Sequence, residues 1–229
     1  MIPRFVLQTG PCLLREKAIV RSILPSGACA WAITAEEART YPEAVPLGSV
    51  EFVEDFARVH KIEIPPFDTY PDALRAYLKR GVREIGFGCA SQDSFVKPIK
   101  VKRFTGNIKR GVTEMVSPGT PVWESDVVRF TQEWRCYVLH RELIGFARYD
   151  DFEDDDQEPP PSLLERMIGA FTDSPVGYSL DVGLCERGWA LVEANDGWAL
   201  GFYKGTVSAS DYIRLIAGRW GEIRGSGCG

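Results

Sequence analysis

The segment LVEANDGWALG (191–201) sets Glu193 and Asn195 two residues apart in an otherwise apolar run. Residues two apart on a strand share a face, so a carboxylate and an amide carbonyl point the same way. A second acid, Asp181, lies just upstream in GYSLDVGL (177–184), which also reads as a strand. CERGW (185–189) then reads as a hairpin turn. A three-residue loop, Glu186-Arg187-Gly188, places glycine where a positive φ is needed and sets Asp181 opposite Glu193. A two-residue loop would instead put the two acids on opposite faces.

Two carboxylates directly across a strand pair repel each other. A divalent cation converts that repulsion into a site. Asp, Glu and Asn oxygens are hard ligands suited to Mg²⁺, with water and substrate phosphates completing the octahedron. The alternative is a structural ion pair with Arg135, Arg148 or Arg187.

The elements around these residues follow from pattern. Phe5-Val6-Leu7 reads as a strand, and Ser49 as the cap of a helix over 50–60. A second helix is expected from about Asp72 to Arg80, ended by Gly81. SFVKPIKVK (94–102) is extended and basic, and leads into the polar loop RFTGNIKRG (103–111). Residues 122–151 read as successive strands with a tight turn at Arg141-Glu142. An acidic run from Asp150 to Glu158 ends in three prolines and reads as an exposed loop; the alternative is that it attracts a basic peptide or polyamine substrate. Ser162 then caps a helix over about 163–172, and a last helix begins near Ser210.

Bulk properties narrow the class. A chain of 229 residues can bury a sizeable core without staples. Its net charge of −5 argues against a duplex-DNA binder, which would carry a basic excess. Six scattered cysteines, none paired as CxxC, fit a reducing cytoplasm, and two histidines make a zinc site a poor fit. No apolar run nears the ~18 residues of a membrane span.

The ordered set FVKP (95–98), a Gly/Lys loop, EWRCYVL (133–139), ARY (147–149), Asp181 and VEANDGWALG (192–201) resembles the ATP-grasp superfamily. The resemblance is to the clade of small bacterial and phage ATP-grasp proteins named for two arginines and a lysine, and it covers about 94–221. It implies an α+β (α/β) fold whose two lobes sandwich ATP, with an N-terminal α/β domain over 1–93. The ATP-grasp domain would span 94–225, with 94–125 forming the smaller lobe and phosphate loop and 126–225 the metal-binding lobe.

Carried over residue by residue, the resemblance implies Asp181, Glu193 and Asn195 as Mg²⁺ ligands. It implies Lys97 as the lysine reaching the nucleotide phosphates. Arg135 and Arg148 become the two arginines facing the phosphates and the acyl group. Lys102 sits where the phosphate-covering loop belongs; the sequence supplies Gly106 and Gly111 there but no dense glycine run. Glu124, in VWESD (122–126), is the nominated acid for adenine and ribose.

The implied activity is an ATP- and Mg²⁺-dependent carboxylate–amine ligase that forms an amide or peptide bond through an acyl phosphate. Its partners would be small-molecule or peptide carboxylates and amines, with neither nucleic acid nor membrane. Such phosphoryl transfer needs positioning and charge neutralisation more than a protein nucleophile. The alternatives are phosphoryl transfer to another acceptor and a non-catalytic nucleotide-binding protein.

Overall fold

A computed structural model describes residues 4–25, 27–100, 104–150 and 157–226. The chain opens with a small parallel sheet. β1 (Phe5–Gln8) lies between β2 (Cys29–Ala32) and β3 (Val45–Leu47), and α1 (Leu14–Ile23) links β1 to β2. As the central strand, β1 is covered on both faces, which is why Phe5, Val6 and Leu7 run uninterrupted. Ser49 caps α2 (Val50–Val59) as expected, its hydroxyl accepting from the Phe52 amide at 3.2 Å.

The segment after α2 departs from expectation. Asp72–Tyr77 forms a 3₁₀ helix, not an α-helix. The left-handed residue near its end is Lys79, with φ 53°, not Gly81. Tertiary bonds explain the choice. The Lys79 ammonium donates to the Arg187 carbonyl and the Arg187 guanidinium donates to the Lys79 carbonyl, at 2.7 and 2.8 Å. The Gly81 amide is spent on Asp126 at 2.9 Å.

Next comes an antiparallel sheet of β4 (Val82–Gly86), β5 (Phe95–Pro98), β6 (Asn107–Ile108) and β7 (Pro121–Ser125), in the order β4-β7-β5-β6. β4 falls in residues 1–93, yet it pairs with β7. A second antiparallel sheet contains β8 (Gln132–Leu139), β9 (Glu142–Arg148), β10 (Gly177–Cys185) and β11 (Gly188–Asp196), in the order β11-β10-β8-β9. α3 (Pro161–Ala170) precedes β10, and α4 (Ala209–Ser226) closes the described chain.

Two local expectations shift by a residue or two. The β8–β9 turn is His140-Arg141, both left-handed at φ 50° and 63°, the mirror-image geometry that matches strand twist. α3 begins at Pro161, with no side-chain cap from Ser162. Proline suits that first position because its missing N–H would have had no partner.

The β10–β11 hairpin corrects the expected turn and keeps its consequence. Cys185 pairs with Gly188, so the loop is the two-residue Glu186-Arg187, and Gly188 has φ 79°. A register shift between Asp181 and Val182 leaves Val192 as an extra residue, and this bulge returns Glu193 to the place opposite Asp181. Arg80 holds the bulged stretch, donating to the Leu191 and Val192 carbonyls at 2.7 Å each.

Strand alternation gives the second sheet two unlike faces. Trp134, Cys136, Val138, Tyr178, Leu180, Val182, Leu191 and Ala194 meet Leu164, Met167 and Ile168 of α3 in one core. The small parallel sheet and α2 share another core with α4 and with Tyr137, Ala147 and Trp198. Trp198, expected as packing, is buried there. The buried thiols of Cys136 and Cys185 likewise sit in the interior, as expected of small core residues.

Candidate functional site

Ala147, Arg135, Asp181 and Glu193 form one row across the four strands of the second sheet. Two residues along, Tyr137, Ser179 and Asn195 form the next row. These strand positions collect the polar side chains opposite the α3 core. Lys97, from β5 of the other sheet, reaches across and ion-pairs with Glu193. The structure therefore brings together Lys97, Arg135, Asp181, Glu193 and Asn195, which span almost one hundred residues of sequence.

Asp181 is 1% exposed and accepts a two-pronged contact from Arg135, with Nε–Oδ1 at 2.9 Å and Nη2–Oδ2 at 2.6 Å. The Asn195 amide also donates to Asp181, at 3.1 Å, and the Ser179 hydroxyl at 3.3 Å. The ion-pair alternative is thus realised for Asp181, with Arg135 as partner, while Glu193 is paired with a lysine. Burial alone would lower the Arg135 pKa, but the Asp181 carboxylate raises it, so the guanidinium stays charged. Burial pushes Glu193 upward, yet the Lys97 ammonium and Arg135 hold it below the ordinary carboxylate value.

Arg135 is also enclosed by aromatic rings. Its guanidinium carbon lies 5.6 Å from the Tyr149 ring centre and 5.2 Å from that of Tyr203, and these rings stack at 5.3 Å. Tyr203 comes from the loop after β11. Gly205 lets that loop lie on β9, since a Cβ there would stand 2.2 Å from the Phe146 carbonyl. The Tyr137 hydroxyl fixes the loop further, donating to the Gly201 carbonyl and accepting from the Tyr203 amide at 3.0 and 2.9 Å.

The structure separates two other nominated residues from this cluster. Arg148 pairs across the ladder with Trp134, on the opposite face from Arg135, and its guanidinium binds Asp150. Tyr149, one residue later, occupies the expected arginine's face. Glu124 shares its face with buried Val96, away from Lys97, and accepts from the Ser91 amide, the Ser94 hydroxyl and Arg83 at 2.6–2.8 Å. The physical reason is the same in both cases: a strand's period of two sends neighbours to opposite faces. Lys102 and residues 151–156 of the acidic run lie outside the described residues. Lys109, read as part of a basic loop, is instead buried and donates to the Ala90 carbonyl at 2.6 Å.

Glu133 was missed, although EWR displays it two residues before Arg135 on the same face. It accepts from the Tyr149 hydroxyl at 2.7 Å. Burial raises its pKa, the Tyr149 hydroxyl opposes this, and the nearby Asp181, Asp150 and Glu193 carboxylates add to it. A raised acid stabilises the fold below its ordinary pKa and withdraws that stability as pH climbs through the folded value. In metal-free protein, wild type should therefore lose stability relative to Glu133→Gln as pH rises above about 4.5. Urea unfolding from pH 4 to 7 reads this; parallel profiles for the two proteins would refute it.

Two cavities meet at the cluster. The larger, about 700 Å³, lies between the sheets and is lined by Lys97, Glu193, Asn195 and residues 104–106. The smaller, about 210 Å³, is lined by Tyr70, Phe95, Phe130, Val192 and the strand-to-strand connection 125–128, and shares Phe95 and Glu193 with the first. Arg80 lies over the Tyr70 and Phe130 rings there, at 5.7 and 5.8 Å. A small pocket walled by Tyr70, Phe95 and Phe130, with Arg80, Glu133 and Glu193 also in its lining, thus adjoins the charged cleft. Among the described residues no three His, Cys, Asp or Glu side chains cluster as a metal site. The candidate set is two carboxylates and an amide, with Asp181 held by Arg135 and Glu193 by Lys97. These are hard oxygen donors, with chemistry that fits Mg²⁺.

A sequence profile of the ATP-grasp domain, family 2 of the clade named for two arginines and a lysine, matches residues 77–215, more than half of the chain. No curated protein sequence matches. By structure, the chain is similar to D-alanine–D-alanine ligase from Bacillus anthracis, with TM-score 0.57 and 9% identity over 99% of this chain and 100% of that one. That ligase complexed with ATP gives TM-score 0.53 at 9% identity, over 99% and 96% of the two chains. A RimK domain ATP-grasp protein from Sphaerobacter thermophilus DSM 20745 gives 0.50 at 13% identity, over 93% and 98%. The chain spans 55% of the length of the ATP-grasp ligase PsnB, to which it is 14% identical with TM-score 0.41 over 63% of its own length. The fold is ATP-grasp, and the chain belongs to the ATP-grasp superfamily, in family 2 of the two-arginine, one-lysine clade.

Proposed function

We propose that the protein is an ATP- and Mg²⁺-dependent carboxylate–amine ligase forming an amide or peptide bond through an acyl phosphate. The observation that carries this reading is the convergence of Lys97 from one sheet with Arg135, Asp181, Glu193 and Asn195 from the other on a cleft joined to a small, partly aromatic pocket. The pocket suits adenine, with Phe95, Tyr70 and Phe130 as its apolar walls and backbone groups of 125–128 at its edge. The cleft suits the triphosphate. The ligase and RimK-domain relatives have this fold, and one of them was solved complexed with ATP.

Asp181, Glu193 and Asn195 would hold Mg²⁺, which when bound neutralises phosphate charge. Lys97 reaches the phosphates from the small-lobe sheet and fixes their distance from the second sheet. Arg135, clamped by Asp181 and two tyrosines, presents a preorganised positive charge to the transferring phosphoryl group or the acyl carboxylate. The tyrosine sheath excludes water beside that charge. The γ-phosphoryl group passes to the substrate carboxylate, and an amine then displaces phosphate. Lys102 would contribute from the phosphate loop, and residues 1–93 would close one side of the acceptor site.

No helix among the described residues is long and apolar enough to cross a membrane. The described cysteines are free thiols, in keeping with work in the cytoplasm.

Hydroxylamine tests the chemistry. With Mg²⁺-ATP and the right acid, hydroxylamine should intercept the acyl phosphate and yield a hydroxamate alongside ADP. ADP release with a phosphorylated product and no hydroxamate would assign phosphoryl transfer to another acceptor. Calorimetric binding of Mg²⁺-ATP without ADP release for any acid–amine pair would assign a nucleotide-binding protein.

A further inference from the structure

A third cavity, about 540 Å³, adjoins the charged cleft and shares Thr69, Ile99 and Asn195 with it. Its volume is typical of a small-molecule site. None of Lys97, Arg135 or Glu193 lines it. Its walls come from three places: the extended Ile64-Pro65-Pro66-Phe67 linker, Ile99 at the exit of β5, and Trp198 with Ala199 after β11. Glu54 of α2 and Lys100 stand at its rim, both exposed.

We infer that this groove is an acceptor subsite for an amino-acid or peptide substrate bearing a bulky aliphatic or aromatic side chain. The inference rests on the ligase reading and names its substrate class. Three observations carry it. First, Asn195 lines both cavities, so a substrate whose reacting group lies at Asn195 in the cleft directs its substituent into the groove. Second, the buried acid in the wall, Asp196, is already bound by Arg219 through two contacts of 2.6 and 2.8 Å. The interior therefore offers apolar surface to a side chain and no uncommitted carboxylate to a basic one. Third, the rim carries one acid and one base, complementary to the ammonium and carboxylate of an amino acid or peptide end.

The linker shapes the groove because its prolines fix φ and its backbone is tied to the site. The Ala194 amide donates to the Thr69 carbonyl at 3.0 Å, holding the linker against the end of β11. The linker wall of the groove and Asn195 are thus joined at the end of β11. Burial of an apolar side chain in such a pocket discriminates by one to two orders of magnitude against a substrate lacking it.

The experiment uses the full chain and two readouts. Saturation-transfer NMR measures equilibrium binding of L-leucine, L-phenylalanine, L-aspartate, L-lysine and glycine in the presence of Mg²⁺ and a non-hydrolysable ATP analogue. ADP release with the same compounds, in pairs, measures turnover. Leucine or phenylalanine should bind at least tenfold more tightly than glycine, aspartate or lysine. Ala199→Trp, which fills the exposed side of the groove, should abolish that preference while leaving calorimetric Mg²⁺-ATP affinity unchanged. Equal binding of all five, or tighter binding of the charged pair, overturns the subsite. So does an unchanged preference in Ala199→Trp. Selective binding without ADP release from any pair would uphold the groove and count against the ligase reading, so the two can fail separately.

Discussion

Glu193→Gln lowers ATP-dependent ADP release by at least about a hundredfold while leaving the fold cooperative, the loss expected for one preorganised charge at a phosphoryl-transfer site. The substitution keeps shape and one carbonyl acceptor for Lys97, but removes the negative charge that pairs with Lys97 and that the proposed Mg²⁺ would need. Single-turnover ADP release with Mg²⁺-ATP, read beside thermal unfolding, checks it. Activity within a few-fold of wild type would remove Glu193 from the site. A signature in acid accompanies it. Glu193 is held below its ordinary pKa, so its stabilisation is present above about 4.5 and lost as pH falls through the folded value. Glu193→Gln should lack that loss, and the stability gap between the two proteins should narrow on acidification.

Arg135→Ala destabilises the protein by about 3–5 kcal/mol, the range for removing one partner of a buried pair. Asp181 is then left with burial, which already raises its pKa, and without its main compensating charge. Replacing both members, as Arg135→Met with Asp181→Leu, should restore most of the stability, because no buried charge remains without a partner. Activity should be lost in both variants. Urea midpoints with ADP release separate these effects. A double variant as unstable as Arg135→Ala would show that the row is held by packing and not by charge. A double variant that still turns over ATP would show that the pair is structural only.

Much of the candidate site was legible because its residues carry period-two spacing. Glu193 and Asn195 share a face in any strand, and EWR placed Arg135 without knowledge of a partner. What the pattern left open was the choice of face across one residue or one turn. ARY presented both Arg148 and Tyr149, and the pleat chose the tyrosine for the Arg135 face. VWESD presented Glu124, and the β5 pairing turned it toward Val96 and away from Lys97. Tyr203 had no signal at all in GFYKG, since its role depends on how a loop lies over β9.

The opposition of Asp181 and Glu193 shows where sequence stops and tertiary structure begins. The residue types and the alternation are properties of the chain itself, set by local stereochemistry. Their register was reached through a two-residue turn and a bulge, and Arg80, more than one hundred residues upstream, holds the bulged carbonyls. The sequence by itself determined the candidate donor residues, the strands that carry them and the order of the motifs. The tertiary structure decided which face each neighbour took, that Lys97 meets Glu193 and Arg135 meets Asp181, and where the apolar groove opens. Those outcomes rest on long-range pairing and burial, whose free energies depend on residues far apart in the chain and leave no local pattern to read.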